Sequence, residues 1–351
     1  MANKRKTFIT GIFLLVYVAT LFIYPGYESA WSAAAKKQNK MVLGYYTEDY
    51  PGDKLSYTSL AANSSLIDSV AFFNYQIDDK GNLTTQPTSS GIKLAKSKNL
   101  KTLMLVNNMG KYNGREVAHK VLSVEKNRKN LADNIFKTIK RNGFDGVNID
   151  LEMVALGDRD NYNALLLELK RLFKPYDYLL TVSIPAKTSD NLYSEWFGAY
   201  DYRAIGKVAD LVAVMTYEEH WSGGSPGPIA SFPWVQQVLD YTINTMPRGK
   251  ILMGIPAYGY DWSDAGGRTV RWNNVNALTA KYPGVAWNNW FSSPYLIYYD
   301  EKGKKHEAWF ENKFSLRLKL DLVNCYNIAG IAVWRLGFED ATFWQAVKDK
   351  L

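Results

Sequence analysis

The stretch that decides the fold runs from 144 to 153 and reads Phe-Asp-Gly-Val-Asn-Ile-Asp-Leu-Glu-Met. In a β-strand successive side chains point to opposite faces. One face would carry Val147, Ile149 and Leu151, and the other would carry Asn148, Asp150 and Glu152. Buried polar side chains cost free energy unless they are paired or used. An antiparallel strand with one solvated face shows the same alternation, so the rest of the chain has to distinguish the two structures.

Apolar, β-rich runs recur along the chain and favour the buried strand. They are Lys40–Thr47, Ser69–Ile77, Lys101–Asn107, Gly146–Glu152, Leu179–Ala186, Leu211–Glu218, Ile251–Tyr258 and Ile328–Leu336. Near-continuous Val, Ile, Leu and Ala runs are typical of parallel strands that are covered on both faces. Helical periodicity lies between the runs, at Glu125–Asn142, Arg159–Lys174, Pro233–Met246 and Asp340–Leu351.

Strands that alternate with helices in this way predict an α/β protein with a (β/α)8 TIM barrel. A doubly wound open sheet is the alternative, but it usually begins with a Gly-rich phosphate turn that is missing here. The interval from about Trp262 to Glu311 is too long for an ordinary loop and is rich in aromatic residues. We expect it to form a small α+β insertion between strand seven and helix seven, as one wall of a groove.

The N-terminus is predicted to be an export segment. Lys4, Arg5 and Lys6 precede an apolar run that extends from Phe8 to Tyr24, which is the pattern of a signal peptide. Ala33 and Ala35 offer a cleavage site, so residues 1–35 would be removed and 36–351 would form one domain. The run is also about as long as the shortest membrane-spanning helices, so an uncleaved anchor is the alternative. Either outcome exports the domain.

Composition excludes several functional classes. The chain has one cysteine, Cys325, and three histidines without metal-ligand spacing, so we expect neither a disulfide nor a metal or other cofactor. The net charge of +8 is spread thinly, which argues against nucleic acid and supports at most a weak attraction to an anionic wall polymer. The 11 Trp and 24 Tyr suit a carbohydrate or peptide groove, although most could simply be buried.

In a TIM barrel the catalytic groups lie at the C-terminal ends of the strands. There the sequence would place two carboxyl groups on strand four, a methionine and a tyrosine on strand six with two glutamates just beyond, and a tryptophan on strand eight. These residues are Asp150, Glu152, Met215, Tyr217, Glu218, Glu219 and Trp334. Two carboxyl groups, a hydroxyl group and an aromatic platform suit glycoside hydrolysis. Packing alone is the alternative for the tyrosine, the methionine and the tryptophan.

The motifs resemble those of the family 18 glycoside hydrolases, the chitinase-like enzymes. Asp145–Glu152 is similar to their Asp-Gly-x-Asp-x-Asp-x-Glu motif, and Met215-Thr-Tyr217 to their Met-x-Tyr motif. Trp334, the strand-one run Gly44-Tyr45-Tyr46 and the insertion also have counterparts there. Asn148, the run Met-Thr-Tyr-Glu-Glu-His-Trp and the run Trp-Arg-Leu-Gly-Phe-Glu-Asp resemble the subgroup that acts on peptidoglycan in spore germination and cortex lysis.

The resemblance implies a substrate-assisted retaining mechanism. Glu152 would act as acid and then as base, Asp150 would hold the acetamido N–H of the substrate, and Tyr217 would bond its carbonyl group. Trp334 would form the floor of the −1 subsite, which Tyr45 and Met215 would line. The substrate would be a glycan that contains N-acetylglucosamine. The enzyme is expected to be an exported monomer that is extracellular or lies in the cell envelope or the spore.

Two positions depart from the family pattern. The Ser-x-Gly-Gly motif of strand three is replaced by Leu105-Val106-Asn107-Asn108, so the support around strand four must differ. Asn148 stands where the motif has a carboxylate. It removes one negative charge, so Asp150 should ionise more readily than it would beside a third carboxylate.

Three functions remain open at this point. The first is a glycosidase that cleaves β-1,4 bonds after N-acetylglucosamine in peptidoglycan, and a chitinase is the near alternative. The third is a non-catalytic glycan-binding protein, which the presence of Glu152 disfavours. A peptidase or amidase is disfavoured because the sequence lacks a metal cluster and a Ser/His or Cys/His arrangement. Contact with a membrane is expected only through an uncleaved N-terminus.

Overall fold

The computed structural model describes residues 40–85, 89–110 and 113–351. The first part of the chain contains β1 (Met41–Tyr46), α1 (Leu55–Asn63), β2 (Ser69–Ile77), β3 (Leu83–Thr85), α2 (Ser89–Ser97), β4 (Lys101–Asn107), α3 (Gly114–Ser123), α4 (Glu125–Asn142), β5 (Gly146–Asp150) and α5 (Arg159–Phe173). It continues with β6 (Leu179–Pro185), α6 (Tyr202–Val208), β7 (Leu211–Met215), α7 (Phe232–Ile243) and β8 (Ile251–Pro256). The last part contains β9 (Tyr258–Ser263), β10 (Gly266–Arg271), α8 (Trp272–Lys281), β11 (Ala286–Asn288), β12 (Ser293–Tyr299), β13 (Lys305–Trp309), α9 (Lys313–Cys325), β14 (Gly330–Trp334) and α10 (Ala341–Lys350).

Eight parallel strands form a closed barrel in the order β1, β2, β4, β5, β6, β7, β8 and β14. The ring closes because β1 pairs with β14 on one side, Gly44 opposite Val333, and with β2 on the other, Tyr45 opposite Ala71. The short strand β3 pairs antiparallel with the C-terminal end of β2. The predicted (β/α)8 barrel is therefore confirmed, and an open doubly wound sheet is excluded.

Both faces of the barrel strands are buried. The inner face forms a small apolar cluster, made of Leu43, Tyr45, Ala71, Leu103, Leu105, Ala213, Leu252 and Ala332. The outer face packs against the helices, and α4 contributes Leu131, Ile135 and Ile139 at the four-residue spacing that its sequence shows. Gly143 ends α4 in the left-handed conformation, with φ of 65°, which a residue without Cβ adopts at no steric cost.

A second, five-stranded antiparallel sheet lies between β8, the seventh strand of the barrel, and the helix α9. Its strand order is β10, β9, β13, β12, β11. Its core holds Val270, Val275, Leu296, Tyr298, Ala308 and Phe310. The sheet starts at Tyr258, where β9 begins to pair with β10, four residues before the expected start at Trp262. The predicted α+β insertion is therefore present in this interval.

The predicted export segment, residues 1–35, lies outside the described residues. Among the residues that the structure describes, no helix is both long enough and apolar enough to cross a membrane.

Candidate active site

The polar face of β5 points into the mouth of the barrel. Asn148 and Asp150 lie on the strand, with 0% and 5% of their surface exposed. Glu152 lies two residues past the end of β5 and is half-buried. The strand was predicted to include Glu152, but the chain turns here, since Met153 adopts a positive φ of 51°. The catalytic glutamate candidate therefore belongs to the loop after β5.

A chain of hydrogen bonds lies beneath Asp150. The Tyr45 and Ser183 hydroxyl oxygens are 2.8 Å apart, and the Ser183 hydroxyl donates to Asn148 Oδ1 at 2.9 Å. Asn148 Nδ2 donates to Thr181 Oγ1 at 2.9 Å, and Thr181 Oγ1 donates to the Val147 carbonyl at 3.0 Å. The strands β1, β5 and β6 are thus joined by buried polar groups that satisfy one another.

Two further strand ends complete the mouth. Met215 and Tyr217 were both predicted to lie on the strand β7. Met215 is its last residue, but Tyr217 lies two residues beyond its end. Trp334 ends β14, and its ring meets Tyr45 edge to face with the centroids 5.4 Å apart. A second edge contact joins Trp334 to Phe73 at 5.5 Å. All the site residues that the sequence singled out therefore lie at the C-terminal end of the barrel.

Burial dominates the electrostatics of the carboxyl groups. Burial raises the pKa of Asp150, and the Ser183 hydroxyl partly opposes that effect. Burial also raises the pKa of Glu152, and the negative charges of Asp150 and Glu218 raise it further. Glu152 consequently holds its proton at a higher pH than a glutamate in water, which is what a general acid requires. The neutral Asn148 removes one repulsive charge that would raise the pKa of Asp150 further. Desolvation nevertheless raises that pKa above its ordinary value.

The tyrosine hydroxyl groups keep their protons. Burial raises the pKa of Tyr45 and Tyr217 above the ordinary value, and the Asp150 charge adds to the rise. The Tyr217 hydroxyl can therefore donate a hydrogen bond toward a substrate, whereas the Tyr45 hydroxyl donates its proton to Ser183, whose own proton goes to Asn148.

Sequence reasoning missed the supporting roles of four side chains. Thr181 and Ser183 alternate as polar residues along β6, and this spacing of two was a usable signal of an inward-facing pair. Glu218 was noticed only as a neighbour of Tyr217. It has a positive φ of 64°, and its carboxylate accepts hydrogen bonds from Tyr258 and, at 2.8 Å, from Tyr260.

Asn108 is the fourth of these side chains, since the sequence showed only that it departs from the expected motif. Its side-chain amide bonds both the N–H and the carbonyl of Glu152. Within the described ranges, no cluster of three or more His, Cys, Asp or Glu side chains is arranged to hold a metal ion.

Comparison with known proteins gives consistent matches over the described barrel. The model of the family described as Glycosyl hydrolases family 18 matches residues 41–339. The chain is 32% identical to an uncharacterized glycosylase, YvbX, of Bacillus subtilis (strain 168), over 98% of each chain.

Two solved structures are also similar. The spore cortex-lytic enzyme SleL of Bacillus megaterium QM B1551 has 28% identity and a TM-score of 0.84, over 91% of this chain and 75% of SleL. A chitinase of Chromobacterium violaceum ATCC 12472 has 33% identity and a TM-score of 0.83, over 89% of this chain and 98% of the chitinase. The chain therefore belongs to family 18 of the glycosyl hydrolases, and it is a glycosidase related to cortex-lytic enzymes and chitinases.

Proposed function

We propose that this enzyme cleaves β-1,4 bonds that follow N-acetylglucosamine in peptidoglycan, in particular that of the spore cortex, by a substrate-assisted retaining mechanism. The observation that carries the proposal is the setting of Glu152. It lies half-buried at the mouth of the barrel, and burial together with the charges of Asp150 and Glu218 raises its pKa. A proton donor is thereby held ready at neutral pH beside a second carboxyl group.

In the first step Glu152 protonates the glycosidic oxygen, and the bond from that oxygen to C1 breaks. The carbonyl oxygen of the substrate's own acetamido group closes on C1 and forms an oxazolinium ion. Asp150 accepts a hydrogen bond from the acetamido N–H and stabilises the positive charge. The Tyr217 hydroxyl bonds the acetamido carbonyl and sets its direction of attack.

In the second step the Glu152 carboxylate removes a proton from water, and the water oxygen attacks C1. The oxazolinium ring opens, and the sugar keeps its original anomeric configuration. The hydrogen-bonded chain that runs through Tyr45, Ser183 and Asn148 keeps the neighbourhood of Asp150 rigid. Trp334 forms the platform under the sugar in the −1 subsite, and Tyr45 and Met215 complete that subsite.

The choice of peptidoglycan rests on similarity to a spore cortex-lytic enzyme and on Asn148 within the β5 motif. A chitin oligomer is the second candidate substrate. It is favoured by the 33% identity to a chitinase that the chain matches over 98% of its length.

We further propose that residues 1–35 act as a signal peptide or an anchor and that residues 36–351 form the glycosidase domain. The enzyme would then act outside the cytoplasmic membrane, in the envelope or the spore, as a monomer. Fractionation of cells that produce the full chain tests this placement, since enzyme confined to the cytoplasm would contradict it.

A digest of spore cortex, vegetative peptidoglycan and chitin oligomers tests the substrate and the acid together. Wild type should release new reducing-end N-acetylglucosamine from the cortex, and Glu152→Gln should release none. The Glu219→Gln variant is the matched control, because Glu219 bonds Ser231 rather than the site. Release from chitin alone would favour the chitinase, and full activity of Glu152→Gln would overturn the mechanism.

A further inference from the structure

The backbone of Glu152 has left the strand ladder. The register between β4 and β5 ends with Asn107 opposite Asp150, so the N–H and carbonyl of Glu152 have no strand partner. The chain turns directly afterwards at Met153, which has a φ of 51°. The placement of the glutamate therefore depends on groups other than the sheet.

The side chain of Asn108 takes the place of a strand partner. The Glu152 N–H donates to Asn108 Oδ1 at 2.8 Å, and Asn108 Nδ2 donates to the Glu152 carbonyl at 2.8 Å. These two bonds run in opposite directions, as they do between paired residues of an antiparallel ladder. The amide is 2% exposed, so water does not compete for its bonds.

The amide is itself fixed by the start of α3. Asn108 Nδ2 also donates to the Gly114 carbonyl at 2.9 Å. Gly114 lies so close that a Cβ there would come within 2.7 Å of the Asn108 carbonyl oxygen. The start of α3 thus packs tightly against Asn108 and leaves its amide plane little freedom.

The residues that flank Glu152 are held in a similar way. The Tyr200 hydroxyl donates to the Leu151 carbonyl at 2.8 Å and lies 3.4 Å from the Val154 N–H. The Tyr200 carbonyl in turn accepts from the buried Lys187 ammonium at 2.6 Å. The hydrogen bonds to the backbone of Glu152 itself, however, come from Asn108.

We propose that Asn108 is a positioning residue, whose amide holds the backbone of Glu152 so that the carboxyl group meets the glycosidic oxygen. The inference rests on the proposed role of Glu152 as the acid. A primary amide of this length can accept from an N–H and donate to a carbonyl at the same time. A carboxylate cannot donate, and a hydroxyl cannot span both groups. Asn108 thus provides the support around strand four that the altered strand-three motif requires.

The variants Asn108→Ala and Asn108→Leu test this role. Misplacement of a catalytic group by about 1 Å costs roughly 10²-fold in rate, so kcat should fall by about that factor while KM changes much less. The alkaline limb of the kcat/KM profile should also move to lower pH, because a released Glu152 relaxes toward solvent and its pKa falls. The leucine variant keeps the approximate size of the side chain and adds no charge, so it remains informative if the alanine variant fails to fold.

Asn324→Ala is the matched control. Asn324 Nδ2 donates to the Lys350 carbonyl at 3.0 Å, and it lies at the end of α9 that leads into β14, opposite the mouth of the barrel. This variant should keep the wild-type kcat and pH profile. All rates are measured on whichever of cortex, peptidoglycan and chitin oligomers the wild type cleaves fastest.

Glu152→Gln, measured in parallel, distinguishes a failure of the positioning role from a failure of the proposed acid. If Glu152→Gln is inactive and both Asn108 variants keep the wild-type kcat and alkaline limb, the positioning role is wrong and the proposed acid stands. If Glu152→Gln is fully active, the proposed acid is wrong and the inference falls with it. A fall in kcat without a shift of the alkaline limb would also overturn the inference, since lost stability alone would produce it.

Discussion

The hydroxyl groups of Tyr45 and Ser183 lie 2.8 Å apart and join β1 to β6 across the mouth of the barrel. The Ser183 hydroxyl donates to Asn148 Oδ1, and Asn148 Nδ2 donates to Thr181 Oγ1. The Thr181 proton is already committed to the Val147 carbonyl. Position 148 must therefore supply a donor on one side and an acceptor on the other, which an amide does and a carboxylate does not.

Asn148→Asp should shift the acid limb of the pH–activity profile to higher pH. A second negative charge beside Asp150 raises the pKa of that group further, so its charged form is lost earlier as the pH falls. The substitution also removes the N–H that donates to Thr181 Oγ1. The loss of this accepted hydrogen bond costs about 1–3 kcal/mol of stability. The measurement is kcat/KM against pH, together with thermal unfolding.

Thr181→Val is the control for this variant, because it removes the same hydrogen bond without adding a charge. It should lower the melting temperature and leave the acid limb in place. An acid limb of Asn148→Asp that matches the wild type would show that position 148 has only a structural role.

Glu218→Gln should move the alkaline limb of the profile to lower pH. The Glu218 charge raises the pKa of Glu152, so a neutral side chain at 218 lets Glu152 release its proton earlier as the pH rises. The amide can still accept from Tyr258 and Tyr260, which now donate to the carboxylate. The profile of kcat/KM between neutral and alkaline pH provides the measurement.

Glu219→Gln serves as the control at the neighbouring position. The Glu219 carboxylate accepts from the Ser231 N–H at 2.6 Å and from the Ser231 hydroxyl at 2.9 Å, just before α7. Its loss should lower the melting temperature but leave the profile unchanged. Equal shifts in the two variants would mean that general surface charge, rather than Glu218, acts on Glu152.

The parts of the fold that depend on local pattern could be predicted from the sequence. The helix α4 has the predicted bounds, because its apolar positions repeat every four residues and Gly143 provides a local stop. The barrel strands could be located because burial on both faces gives continuous apolar runs. The polar face of β5 could also be predicted, because the alternation of side chains along a strand depends on the backbone alone.

The ends of strands and the long-range contacts could not be predicted in this way. β5 and β7 are shorter than the apolar runs suggested, because their last residues turn away from the ladder at Glu152 and Tyr217. The contact between Glu218 and Tyr258 spans 40 residues and depends on how the insertion docks. The bond between Asn108 and Glu152 spans 44 residues, so only the packed barrel could reveal it.

Lys319→Met should destabilise the protein by about 3–5 kcal/mol, because removal of one partner leaves a buried charge unpaired. The Lys319 ammonium lies 2.8 and 3.0 Å from the Glu311 carboxylate oxygens, and the two side chains are 2% and 3% exposed. Ser315 donates to the same carboxylate at 2.6 Å. Urea-induced unfolding gives the measurement.

The partly exposed pair of Lys350 and Asp321, at 2.6 Å, provides the comparison. Lys350→Met should cost no more than about 1 kcal/mol, since water screens and solvates both groups. Similar losses of unfolding free energy in Lys319→Met and Lys350→Met would contradict the importance of burial. Activity should persist in both, because neither lysine is hydrogen-bonded to Asp150, Glu152 or Tyr217.

Glu152→Gln should be more stable than the wild type, by a margin that grows with pH. The folded protein raises the pKa of Glu152 above its usual 4.5, so it binds this proton more tightly than the unfolded chain does. The stabilisation is complete below the usual pKa and is lost as the pH rises through the raised value. Glutamine has no proton to release and avoids that loss. Melting temperatures of both proteins from pH 4 to 9 provide the measurement.

Glu116→Gln should behave in the opposite way. The Lys120 ammonium lowers the pKa of Glu116, so the wild type gains from this charge as the pH rises, and the variant does not. The difference in melting temperature should therefore favour the wild type at neutral pH and vanish in acid. A constant difference between Glu152→Gln and the wild type across the range would mean that Glu152 ionises like a glutamate in water. The protonated acid required for the first step would then be scarce at neutral pH.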